Sequence, residues 1–238
     1  MFDHELAEVY DLIYRRRGKD YAAEAADITA LIRRHRPGAA SVLDVACGTG
    51  EHLVHLGRHF DHAEGLEMSA GMLGIARAKA PNLTVHEADM RTFRLPRAFD
   101  AVTCLFSSIA YLGTREGMVA AVDRMAAHLV PGGVLIVEPW WSPDRFIDKY
   151  VSSDVVGEDG RSVARVSRTR RTGAKQAEME VHFVMADPSR IHHFSETHTI
   201  ALFTREEHLD AFRRSGCTAE FVEGGPSGTG LYVAVRSG

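Results

Sequence analysis

Asp44, Gly48 and Gly50, in the run Ser-Val-Leu-Asp-Val-Ala-Cys-Gly-Thr-Gly-Glu-His-Leu (41–53), together with Glu67 and Asp89, have the types and spacing to hold a nucleoside. Glycines let backbone approach a ligand with no Cβ in the way, and the free N–H groups of a helix start can meet it. Glu67 stands 17 residues beyond Gly50. At that spacing an acid ending a second strand can accept both hydroxyls of a ribose. Asp89 suits an adenine amino group, with Met90 against the ring; a helix N-cap is its other reading. Further on, Phe106-Ser107-Ser108-Ile109-Ala110-Tyr111 and Glu138 each follow an apolar run, so hydroxyls, a phenol and a carboxylate arrive at strand ends.

The elements that must carry these groups can be read from periodicity. Leu6, Val9, Tyr10, Ile13 and Tyr14 recur at helical spacing, and a second helix is expected from Tyr21 to His35. Strands are expected at Val42–Val45, Ala63–Leu66, Leu83–His86, Phe99–Leu105 and Val134–Glu138. Helices should run from Glu51 to Phe60, from the cap Ser69 to Lys79, and from Glu116 to Leu129, stopped by Pro131-Gly132-Gly133. Strand and helix alternating five times call for a doubly wound parallel sheet with right-handed crossovers, whose ligands bind at the strands' carboxyl ends. From about Val151 to Ala201 the period falls to 2, as in antiparallel strands with one wet face: 162–170, 179–184 and 196–202. A helix capped by Thr204 and two closing strands, around 217–222 and 230–235, complete the chain.

At 238 residues with 45% hydrophobic and 25% charged residues, one α/β domain with an elaboration is expected. A formal charge of −4 argues against polyanion binding as the main role. Three cysteines in or beside apolar runs suit reduced thiols in a reducing cytoplasm. No basic-then-apolar leader and no apolar run of about 18 residues is present, so a cytoplasmic location is expected. His182, His192, His193 and His198 match no closed metal site, and no metal is expected.

The pattern Leu-Asp-Val-Ala-Cys-Gly-Thr-Gly resembles the first motif of the class I S-adenosylmethionine (SAM) methyltransferases. A dinucleotide-binding turn would place a third glycine where Leu53 stands and an apolar residue where Asp44 stands. Arg-Gly-Lys-Asp-Tyr at 17–21, Phe-Ser-Ser-Ile at 106–109, Val-Glu-Pro-Trp-Trp at 137–141, Arg-Val-Ser at 165–167 and Gly-Gly-Pro-Ser-Gly at 224–228 resemble, more narrowly, the N,N-dimethyltransferases of antibiotic deoxysugar pathways. That family methylates twice the amine of a dTDP-linked amino-deoxyhexose, as in desosamine and mycaminose formation. The resemblance implies a Rossmann-like, mostly parallel seven-stranded sheet with an inserted antiparallel sheet. A SAM-binding domain at 1–139 and 202–238 and an acceptor-binding insert at 140–201 follow. The donor is SAM, leaving S-adenosylhomocysteine; no nucleic acid or membrane is expected as partner, and a homodimer is a candidate assembly.

On this reading the cofactor set is Tyr10, Tyr21, Asp44, Ala46, Gly48, Gly50, Glu67, Met68, Asp89, Met90 and Phe106. Tyr10 and Tyr21 would cap the donor's sulfonium and carboxylate end from a lid, because aromatic faces attract cations. Tyr111 would orient the amine, a phenol being at most a weak base, and Glu138 would bind a sugar hydroxyl or the ammonium. Phe2, Ser107, Trp140, Arg165, Ser167 and Thr229 complete the acceptor side, with Arg165 and Ser167 on the pyrophosphate. The family carries histidine at 111, tyrosine at 2 and arginine at 229, so three departures cluster around the acceptor. Amination at C4 rather than C3 would account for them. The alternative is a SAM-dependent enzyme for another small acceptor, methylated at oxygen.

Overall fold

A computed structural model describes residues 4–238; the Phe2 expectation lies outside the described residues. Two helices, α1 (His4–Arg16) and α2 (Tyr21–His35), precede a seven-stranded sheet. Its strands are β1 (Ser41–Val45), β2 (His62–Glu67), β3 (Thr84–Glu87), β4 (Phe99–Cys104), β5 (Leu129–Val137), β10 (Cys217–Val222) and β11 (Leu231–Arg236). They lie in the order β10-β11-β5-β4-β1-β2-β3, parallel from β5 through β3, with β10 and β11 antiparallel. Helices α3 (Glu51–Leu56), α4 (Ala70–Lys79) and α5 (Arg115–Ala127) link β1 to β2, β2 to β3 and β4 to β5, α6 (Arg205–Arg214) precedes β10, and β3 passes to β4 through a loop where the expected alternation called for a helix. The chain leaves β1 toward β2 and β3 on one side and toward β4 and β5 on the other. That reversal between β1 and β4 opens a crevice at their carboxyl ends.

Both faces of the sheet are covered, which is why β1 and β4 are nearly all buried. One core joins Leu43, Val102, Phe99, Met118, Met125 and Phe212; the other joins Val42, Ile28, Ile32, Leu53, Leu56 and Ile136. Leu53 packs tightly because Gly65 on β2 has no side chain: a Cβ there would stand 2.6 Å from Leu53 Cδ2 and 2.9 Å from Cys47 Sγ. The close helix–strand contact that a third turn glycine would give is made from the opposite strand.

β6 (Val151–Glu158), β7 (Arg161–Gly173), β8 (Gln176–Ala186) and β9 (Ile191–Ala201) form a separate antiparallel meander. Sequence periodicity missed β6, whose Val-Ser-Ser-Asp-Val-Val-Gly-Glu lacks apolar alternation because it is an edge strand with little buried surface. The inner face of this sheet closes on α1: Leu6, Val9 and Ile13 pack against Val163, Val181, Phe183, Met185 and Phe194. Two expected boundaries also move. α3 ends at Leu56 rather than Phe60, and β5 starts at Leu129, with Pro131-Gly132-Gly133 forming an irregularity within it rather than preceding it.

Candidate active site

A cleft of about 1160 Å³ runs along the crevice and continues between α1 and the meander. One end is built by the turn after β1. Ala46, Gly48 and Gly50 all have positive φ (57°, 57° and 80°), which folds the chain back so that Cys47 N–H reaches Leu66 O at 3.0 Å. Glu67 fixes the turn from β2: its carboxylate accepts Gly48 N–H at 3.0 Å, Met68 N–H at 2.8 Å and Ser69 N–H at 2.7 Å. Asp44 is buried at the same end, accepting the Thr103 hydroxyl at 2.8 Å, and burial pushes its carboxyl up to about 6. Asp89 and Met90 line the far wall. Asp89 also forms a local turn, accepting Arg91 N–H at 2.8 Å and its guanidinium at 2.5 Å, and these hydrogen bonds hold its carboxyl below the usual range. Gly50 does not reach the cleft; it starts α3 against Ala76, whose Cβ would be 3.3 Å from a Cβ at 50.

The roof is α1. Asp11 ties it down, accepting the Thr49 hydroxyl at 2.5 Å and the Lys79 ammonium at 2.5 Å. Tyr10 and Tyr14, one turn apart, stand 4.6 Å from each other between ring centroids, and Tyr14 meets Phe106 edge-on at 4.8 Å. Burial pushes the phenols of Tyr10, Tyr14 and Tyr21 up, so all three stay neutral. Lys19 crosses this aromatic wall 4.1 Å from the Phe106 centroid while paired with Glu24, which also accepts from His52 at 2.7 Å. Tyr21 OH is buried in the cleft wall with no partner among the described residues.

The other end starts where β4 stops. Phe106 and Ser107 both have left-handed φ (52° and 62°), a strained pair that turns the chain into a 3₁₀ turn, Ser108–Leu112, presenting Tyr111 to the cleft. Burial, with Tyr14 and Glu196 nearby, pushes the Tyr111 phenol up as well. From the meander, Arg165, Ser167 and Thr169 face inward, whereas Arg168 and Arg170 face out onto Glu180 and Glu178. Arg165 is buried, donates to Ser167 Oγ at 2.9 Å, and has its nearest carboxylate, Asp154, at 3.9 Å. Removing that charge from water with so little compensation lowers its pKa, and its environment favours an anionic ligand. Trp140 lines the same wall with its buried indole N–H unpartnered among the described residues.

Three expected acceptor residues sit elsewhere. Glu138 is fully buried, accepting Phe106 N–H at 2.6 Å and Ser227 N–H at 3.0 Å, so its carboxylate braces two loops instead of meeting substrate. Ser107 is buried and donates to Pro139 O at 2.9 Å. Thr229 is buried outside the cleft lining. Tyr14, Lys19, His52, Trp141 and His198 line the cleft without having been singled out for binding it. The i, i+4 spacing from Tyr10 was a signal for Tyr14; His198 carried none until β9 was seen to face α1.

The geometry is that of known enzymes. A methyltransferase-domain family matches residues 42–133. The chain is 53% identical to the dTDP-3-amino-3,4,6-trideoxy-alpha-D-glucopyranose N,N-dimethyltransferase of Streptomyces venezuelae over 99% of both chains. It is 51% identical to the dTDP-3-amino-3,6-dideoxy-alpha-D-glucopyranose N,N-dimethyltransferase of Streptomyces fradiae, covering 98% of this chain and 92% of that one. Identity to the dTDP-4-amino-2,3,4,6-tetradeoxy-D-glucose N,N-dimethyltransferase of Saccharopolyspora spinosa is 40%, over 99% and 93%. Among solved structures, Streptomyces venezuelae DesVI superposes with a TM-score of 0.95 at 53% identity, each chain fully covered. SAM-bound CalS10, an amino pentose methyltransferase from Micromonospora echinaspora, does so at 0.89 and 49%, over 100% and 98%.

Proposed function

The chain belongs to the dTDP-amino-sugar N,N-dimethyltransferases, and on that premise we propose that it methylates twice the amine of a dTDP-linked 3-amino-deoxyhexose in antibiotic sugar biosynthesis, with SAM as donor. The observation that carries this reading is one continuous cleft whose proposed donor wall (Asp44, Gly48, Glu67, Asp89) and acceptor wall (Tyr111, Trp140, Arg165, Ser167) meet at Phe106. The 3-amino position rests on identities of 53% and 51% to enzymes for 3-amino sugars against 40% to one for a 4-amino sugar.

The donor site fits SAM: a Tyr21 hydroxyl with no partner among the described residues, a buried acid at Asp44 and a positive-φ cradle converge on it. When bound, SAM supplies a methyl carbon made electrophilic by positive sulfur. Tyr10, Tyr14 and Phe106 present aromatic faces that favour a cation there. Glu67 holds the turn and offers its carboxylate to ribose hydroxyls, and Asp89 with Met90 brackets the base. On the acceptor side Arg165 and Ser167 receive the pyrophosphate, and Trp140 walls the sugar. Tyr111, a phenol and so protonated near neutrality, positions the amine by hydrogen bonding. Holding nitrogen in line with the methyl carbon at about 3 Å supplies several kcal/mol of the barrier.

The insert at 140–201 serves as the acceptor-binding part and 1–139 with 202–238 as the SAM-binding part. Free Cys47, Cys104 and Cys217 support a reducing cytoplasm, and among the described residues no helix is long and apolar enough to cross a membrane. A homodimer belongs to the same proposal, and its mass in solution tests it. The function itself is tested by incubating the protein with methyl-labelled SAM and dTDP-linked 3-amino, 4-amino and hydroxy sugars. Two successive methyl additions to the 3-amino sugar are expected. Transfer to oxygen alone, or to no sugar, overturns the reading.

A further inference from the structure

A phenol pushed up by burial cannot take a proton near neutrality, so Tyr111 leaves open where the amine's proton goes. Behind it stands His198, its ring edge-on to Tyr111 at 5.5 Å between centroids and an angle of 77°. His198 lines the cleft from the inner face of β9. Its Nε2 is 3.0 Å from Oε2 of Glu196, two residues earlier on the same face, with side-chain exposures of 7% and 5%. A second chamber of about 30 Å³ opens where His198 and Tyr111 meet Tyr10, Tyr14 and Arg165, enough for about one water. Among the described residues, the ionisable groups around the imidazole include Tyr10 and Tyr14 from α1, Tyr111 from the 3₁₀ turn, Arg165 from β7 and Glu196 on β9. β8 contributes only Met179, Val181 and Phe183 to that chamber.

We propose that His198, oriented by Glu196, is the base that removes the proton from the acceptor amine before each methyl transfer. The inference rests on the amine-methylation reading above. An amino sugar is mostly ammonium at neutral pH and has no nitrogen pair to donate. Its N–H bond breaks with the electron pair remaining on nitrogen, and the proton passes to the His198 imidazole. The pair then bonds the methyl carbon while the carbon–sulfur pair stays with sulfur. The methylated ammonium so formed loses its proton by the same route, which a second transfer requires. The Glu196 carboxylate stabilises the imidazolium meanwhile, and a water in the small chamber carries the proton out.

The test compares His198→Asn and Glu196→Gln with the unaltered enzyme on the dTDP-linked 3-amino sugar, following both transfers across pH 6–10, with SAM affinity and melting temperature measured alongside. His198→Asn should lower kcat by roughly 100-fold near pH 7, with sugar KM and SAM affinity unchanged. The deficit should shrink about tenfold per pH unit as solvent frees the amine, and Glu196→Gln should show the same trend with a smaller loss. A variant that melts normally and keeps the unaltered rate and pH profile overturns the inference, as does a deficit independent of pH. Absence of amine methylation by the unaltered enzyme is a separate result, overturning the proposed function and this inference with it.

Discussion

Glu138 Oε2 accepts the Phe106 amide N–H at 2.6 Å, so a carboxylate at the end of β5 holds the left-handed turn at the end of β4. Its other oxygen holds Ser227, 89 residues away in the late glycine turn. Hydrogen bonds to a charged acceptor contribute about 1.5–3 kcal/mol each. Glu138→Ala should therefore destabilise the fold by about 3 kcal/mol and lower kcat, because Phe106 and Tyr111 lose their setting. Urea unfolding and steady-state kinetics measure both, and a variant with unchanged stability would dismiss the brace.

Asp44 gives a pH dependence of known sign. Burial raises its folded pKa to about 6, above the ordinary value of 3.8, so the folded state takes a proton first. Its stabilising contribution is complete below the ordinary pKa and is lost as pH rises through about 6. At neutral pH a buried charge therefore costs the fold up to about 3 kcal/mol, and SAM, a cation, is helped by that charge. SAM affinity should be flat above pH 6 and fall about tenfold per unit below it, read by calorimetry. Asp44→Asn should melt higher than the unaltered protein and bind SAM more weakly.

Arg165 is a buried cation in the cleft wall, which we propose holds the sugar nucleotide. Arg165→Lys loses the flat guanidinium that fits a pyrophosphate, and Arg165→Ala loses the charge as well. Sugar-nucleotide KM should rise about 10-fold and 100-fold respectively while SAM affinity holds. A rise in SAM dissociation constant instead would move Arg165 to the donor side.

His208 sets an acid limit. Its ring is buried, stacked on Tyr232 at 4.5 Å, with Nδ1–H donating to Thr204 O at 3.1 Å, and burial lowers its pKa to about 4. The unfolded chain protonates first, so stability declines as pH falls from about 6.5 to about 4, by on the order of 3 kcal/mol in all. Asp44 acts in the opposite sense between 6 and 4, so the effect is read as a difference. His208→Phe, which keeps the stacking, should lose less stability between pH 7 and pH 4.5 in urea titrations than the unaltered protein.

The sequence by itself determined the turn and strands that are proposed to hold the donor, because that part is local. Strand, turn and helix follow one another within Ser41–Leu56, Glu67 ends β2, Asp89 stands two residues past the end of β3, and apolar runs spaced by helical stripes mark the parallel strands of one sheet. Motifs at 17–21, 106–109, 137–141, 165–167 and 224–228 carried the sugar-methylating family. Only the tertiary structure decided the acceptor half, whose walls come from α1, the 3₁₀ turn and the meander. Spacing along the chain does not encode which faces of such distant elements meet. Glu138 illustrates this: an acid at a strand end reads as substrate-facing until two amides from far apart in sequence occupy both its oxygens. Glu196 and His198 likewise become a pair facing Tyr111 only once β9 packs against the 3₁₀ turn, since a strand's period says which residues share a face but not what that face covers.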